Sequence, residues 1–222
     1  MGSITASTSS TTVPPTKVAG KGNPAAAAKA SMPGDRLAVG SDAALSAWIH
    51  ATHLQVDHAS KDELKVIADS VLAKAQDPGV STENRARLYA VAAAAHGRLS
   101  DMEDQTGNGR KAFQEISKAA GLAPQRSDCV LGYAQAVNEV VKRGSFTRGI
   151  AERVLGISSE TEATRALGML KAFPDDPQAQ LYRIRFGRFV EDDATVADAT
   201  SRLAGMAPAN VAAAEKQVGF QP

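Results

Sequence analysis

The sequence predicts an all-α fold behind a disordered N-terminal arm. Apolar residues recur at helical spacing after Ser41. Capping residues and prolines bracket those stripes. No alternating strand pattern of useful length appears, and Asn108-Gly109 is flanked by polar helix formers rather than by strands. Residues 1–40 are therefore assigned to a Ser/Thr/Ala-rich arm and 41–222 to a helical domain.

Within the arm, Ser and Thr dominate from Ser3 to Thr16, and Pro14-Pro15, Gly20, Gly22 and Pro24 interrupt any helix. Too few large apolar groups are present to offset the entropy of ordering. No Asp or Glu precedes Asp35, so Lys17, Lys21 and Lys29 leave the arm weakly positive.

The helical domain opens with a face of Leu45, Trp48, Ile49, Thr52 and Val56 after a cap at Ser41 or Asp42. Ser60-Lys61-Asp62-Glu63 reads as a capping box. It starts a helix with the stripe Leu64, Ile67, Ala68, Val71, Leu72 and Ala75, stopped at Asp77-Pro78-Gly79. A third helix, near 82–100, carries Leu88, Val91, Ala92, Ala95 and Leu99, and a polar loop is expected from Asp101 to Gly109. Then come a helix with Ala112, Phe113, Ile116, Ala119 and Ala120, one with Val130, Ala134, Val137 and Val141, and a shorter one with Phe146, Ile150 and Val154. Ser159-Glu160-Thr161-Glu162 reads as a second capping box, ahead of Ala163, Ala166, Leu167 and Leu170. Leu181, Ile184 and Phe189 mark the next helix, with Tyr182 and Phe186 on a second face. Val196, Thr200, Leu203 and Met206 mark another, and residues 209–218 a final cap.

Composition excludes several classes of function. A formal net charge of +1 provides no global attraction to nucleic acid or to an anionic membrane. No stretch approaches the length of a membrane span, and neither a secretory signal nor the Ser or Thr of a myristoylation motif follows Met1-Gly2. The expected location is cytoplasmic, or secreted by a signal-peptide-independent route. Cys129 is the only cysteine, which excludes an intramolecular disulfide and a Cys-rich zinc site. It reads as a small apolar filler near a helix start.

Prolines 78, 124, 174 and 208 close four helices at intervals of 46, 50 and 34 residues. A recurring helical hairpin that cannot bury its apolar face alone is the unit of a stacked repeat. Ala112, Ile116, Ala119 and Pro124 carry the Ala, bulky, Ala, Pro spacing of the second helix of a tetratricopeptide (TPR) repeat. Ala73 and Pro78 match its final pair, while Val196, Thr200, Leu203 and Pro208 keep the spacing without the alanines. The region 60–210 thus resembles a divergent TPR-like stack, although the first-helix signature is unmatched; a non-repetitive helical bundle is the alternative. The resemblance implies stacked antiparallel hairpins with a groove that binds a peptide or another helix, without enzymatic activity and without a cofactor.

Chemistry-bearing residues are few. No G-x-S-x-G, P-loop or G-x-G-x-x-G sequence occurs, and Gly107-Asn108-Gly109-Arg110-Lys111 reads as a solvated turn. His50, His53 and His58 cluster within nine residues, and His50 and His53 are helical neighbours with metal-ligand spacing. They are weak metal candidates beside the simpler reading of surface histidines. In the cluster Arg183, Arg185, Arg188, the last two share a helical face. On the TPR resemblance they sit on a groove-lining first helix, which makes Arg185 and Arg188 candidate contacts for an acidic peptide. The expected function is a protein-interaction module (adaptor, scaffold or chaperone-like). The acid-poor Ser/Thr-rich arm suggests an alternative, a bacterial type III secreted effector or a component of that apparatus.

Overall fold

The computed structural model describes residues 42–103 and 106–219, all within the compact unit Val39–Pro222. The expected cap at Ser41 and the arm lie outside them. Among the described residues the secondary structure is entirely helical: α1 (Asp42–Val56), α2 (Lys61–Ala75), α3 (Thr82–Glu103), α4 (Thr106–Leu122), α5 (Ser127–Val141), α6 (Ser145–Leu155), α7 (Ser159–Leu170), α8 (Pro177–Phe189), α9 (Asp193–Ala204) and α10 (Pro208–Val218). No helix among them is long and apolar enough to cross a membrane.

The packing follows a simple order once α6 is set aside as an insertion. Helices α1, α3, α5, α8 and α10 form one row, each touching the next. Helices α2, α4, α7 and α9 pair with the row as second helices of hairpins, and α2, α4 and α7 also touch the following member of the row. Polar contacts fix the register. Asn84 Nδ2 donates to Asp42 Oδ1 (2.9 Å) where α1 and α3 begin, and Arg98 donates to the Asp57 carbonyl where α1 ends, so α1 and α3 run parallel. Arg126 pairs with Glu83 between α3 and α5. Arg165 Nη1 donates to Ser117 Oγ (2.6 Å), tying α7 to α4.

The expected stripes are mostly the buried ones. Leu88, Val91, Ala92, Ala95 and Leu99 are buried on α3, and Ala163, Ala166, Leu167 and Leu170 on α7. Ala86, Ala92, Ala119 and Ala120 are all 0% exposed, and these short side chains let α3 and α4 lie close. Within this hairpin His96 Nδ1 lies 2.8 Å from Glu115 Oε2, and both side chains are buried. On α8 both faces are buried, because α5, α7, α9 and α10 all pack on it. Its Arg183 is buried, donating to Gln180 Oε1 (2.7 Å) and to Asp198 Oδ2 of α9 (2.7 Å).

Four expectations are corrected. Where a polar loop is expected from Asp101 to Gly109, the described residues are helical: α3 runs to Glu103, which Lys61 and Lys65 of α2 hold by ion pairs, and α4 starts at Thr106. The second capping box is displaced by one residue. Ser158 caps α7 by accepting from Thr161 N (3.3 Å). Ser159 is buried and donates from its N–H (2.9 Å) and its hydroxyl to Glu152 of α6, while Glu162 accepts from the Tyr133 hydroxyl. The stripe Phe146, Ile150, Val154 is not core: Phe146 is 81% and Ile150 49% exposed, and Ala151 is the buried residue of α6. On α9 the buried side chains are Thr195 and Ala199. Val196 instead packs on Gly187, where an added Cβ would meet Val196 Cγ2 at 2.8 Å, so only glycine admits this approach of α9 to α8.

The caps give a direct check. At Ser60 both halves of the box form, with Ser60 N–H donating to Glu63 Oε2 (2.8 Å). Ser60→Ala and Ser158→Ala are each expected to lower unfolding free energy by about 1 kcal/mol in urea titrations.

Candidate functional site

A solvent-open groove of about 1100 Å³ runs along one face of the row. Its floor is built from α3 and α5. Ala90, Ala93, Ala94 and Gly97 supply no side chain longer than a methyl on α3, and a Cβ built at Gly97 meets nothing within 4 Å. Leu131, Gly132 and Ala136 continue the floor on α5. The apolar depth comes from Phe113 and Ile116 of α4, and Phe113 packs edge-on against Tyr133 of α5 (6.1 Å between centroids).

One wall is α6, which contributes Ile150, Ala151, Val154 and Leu155. It stands between Gly144, its N-cap, and Gly156, whose left-handed φ of 73° ends the helix at little cost for a glycine. Arg110 of α4 holds the end of this wall by donating to the Val154 carbonyl (2.7 Å). Arg148 lies over the Phe189 ring of α8 at 4.9 Å. The other boundaries are the end of α1, with His53 and Asp57, and α8, with Gln178 and Tyr182. Tyr182 stacks on Phe186 (5.8 Å), and burial pushes its hydroxyl pKa up to about 12.

The residues singled out from sequence are placed as follows. Arg185 Nη1 donates to Asn138 Oδ1 of α5 (2.6 Å), and its Nη2 donates to the Gly219 carbonyl beyond α10 (3.0 Å). It therefore ties together three members of the row. Arg188 is exposed. Both lie outside the groove lining. His50 and His53 are exposed on α1 and His58 in the turn that follows, and of the three only His53 lines the groove. Among the described residues no group of three or more His, Cys, Asp or Glu is placed to hold a metal. Cys129 is 0% exposed, and burial, reinforced by Asp128, pushes its thiol up to about 12. The proximity to a helix start that would favour a thiolate is thus outweighed by loss of water. Helical periodicity does not reveal the groove, because its floor is mostly alanines and glycines, which mark no apolar stripe. The spacing Ala90, Ala93, Ala94, Gly97 is the one signal of it along the chain.

No protein-family model, curated protein or solved structure matches this chain.

The buried hydroxyls and thiol give the protein a defined alkaline response. Cys129 ionises near 9 in the unfolded chain and near 12 when folded; Tyr182 moves in the same direction, as does Tyr133 under burial and the Glu162 carboxylate. Unfolding therefore releases protons at high pH. Their contribution is fully present below pH 9 and lost as the pH rises from 9 toward 12. Urea titrations across that window should show stability falling, with a shallower fall in Cys129→Ala.

Proposed function

We propose that this chain is a non-enzymatic interaction module, an adaptor, scaffold or chaperone-like protein, whose groove receives a peptide or helix from a protein partner. The observation that carries this reading is the groove. Its lining on α5 extends from Asp128 to Val140, about 18 Å of helix at 1.5 Å per residue. That length suits a run of polypeptide better than a compact metabolite. The short side chains of the floor leave room for a partner's larger ones.

The TPR-like reading supports the same conclusion. Helix α4, which carries Ala112, Ile116 and Ala119, is the second helix of its hairpin, as that repeat requires, and Ile116 and Ala119 are buried. In such stacks the first helices supply the binding surface. Peptides selected from a random displayed library against the full chain should lose binding to an Ala94→Trp variant, whose indole fills the floor. They should keep binding to an Asp69→Ala variant on the exposed face of α2. Binding indifferent to Ala94→Trp would remove the groove from consideration.

The composition of the arm favours a second reading, export by a type III machine that threads unfolded chain. Residues 1–40 fused to a reporter should then be secreted by a strain carrying such a machine and retained by one whose export ATPase is deleted.

A further inference from the structure

The charges around the groove identify its occupant. The groove lining carries four carboxylates, Asp57, Asp101, Asp128 and Glu139, against the single guanidinium of Arg143. All four are exposed. Three of them sit where helices of the row end: Asp57 just past α1, Asp101 in the last turns of α3, and Glu139 in the last turn of α5. A helix C-terminus carries partial negative charge of its own, so backbone and side chains act in the same sense at this edge, offset at the end of α5 by Arg143, whose Nε donates to the Glu139 carbonyl (2.9 Å). The last turns of α3 and α5 contain no basic residue.

Neighbouring cations offset only part of this. Arg126 pairs with Asp128 (2.7 Å) and Lys142 with Glu139 (2.6 Å), both from the rim, and Arg98 stands 3.9 Å from Asp57. Asp101 forms no ion pair among the described residues. Beside this edge the surface is apolar. Ile150 is half exposed on the α6 wall, and Phe146, one turn earlier and 81% exposed, extends the greasy strip past the rim.

We propose that the groove takes a cationic amphipathic peptide segment, with its large apolar side chains on the alanine and glycine floor and its lysines or arginines along Asp57, Asp101 and Glu139. This rests on the groove being the binding site. A segment with the same apolar face and acidic flanks would set like charges against the edge and be rejected.

The test uses the full chain and two fluorescein-labelled helical peptides, one of leucine and lysine at helical spacing and one with every lysine replaced by glutamate. Fluorescence anisotropy should show the leucine–lysine peptide bound and the leucine–glutamate peptide unbound. Asp101→Lys/Glu139→Lys should weaken the bound peptide by about tenfold or more, as should a rise in salt to about 0.3 M. Ala94→Trp should abolish binding, and the fluorescence of Trp48 together with circular dichroism reports whether each variant is folded. If the double variant does not fold, Asp101→Asn provides the same reading with a smaller loss. Equal binding of both peptides, or charge variants without effect while Ala94→Trp still blocks, overturns the cationic partner and leaves the groove standing. Binding of neither peptide, or binding that ignores Ala94→Trp, overturns both.

Discussion

Helix α3 must be buried on several sides at once, and the rest of the structure depends on how it meets that constraint. It packs against α1, α2, α4 and α5. A helix surrounded this way cannot carry long apolar side chains all round and still let its neighbours close up. Alanine is the solution found here: Ala86, Ala92 and Ala95 are fully buried, while Leu88, Val91 and Leu99 provide most of the apolar area. The same choice that permits close packing behind α3 leaves Ala90, Ala94 and Gly97 bare in front of it, where the groove opens. Core and groove are two faces of one alanine-rich helix.

Much of this architecture is legible in the amino-acid pattern alone. Where a helix has one buried face, as α2 and α7 do, periodicity identifies the core almost residue by residue; on α5, packed on several sides, it misses Tyr133, Asn138 and Val140. It fails in two physical situations. On α6 the pattern Phe146, Ile150, Val154 is real, but α7 takes the place beside α5, and α6 is left with only Ala151 buried. An amphipathic stripe shows that a face seeks apolar company; it does not show that the fold provides it. On α9 the approach to Gly187 shifts the contact face to Thr195 and Ala199, because the absence of a Cβ on α8 draws Val196 in. Such a shift depends on the partner helix and is invisible within α9 itself.

The site is less legible than the fold for a related reason. Sequence inspection favours residues with conspicuous chemistry, such as the histidine cluster and the three arginines. Arg185 is instead committed to Asn138 and to the carbonyl of Gly219, where it joins α5, α8 and the end of α10. Arg183 is committed to Asp198 and Gln180. His96, the histidine that stands outside the cluster, is sealed against Glu115 between α3 and α4. These side chains connect helices. The groove is defined by what its residues lack, and an absent side chain is recognised only when the neighbouring helices are in place.

The carboxylates at the helix ends bear on whether that groove is merely a packing remnant. An acid at a helix C-terminus opposes the dipole and costs about 0.3–1 kcal/mol. Elsewhere the fold removes that cost. Glu103, at the very end of α3, is clamped by Lys61 and Lys65, and their hydrogen bonds and charge hold its carboxyl below the usual carboxylate range. Asp101, two residues earlier and facing the groove, has no such pair of lysines. The uncompensated carboxylate falls on the side of α3 that faces the groove, not on the side that faces α2.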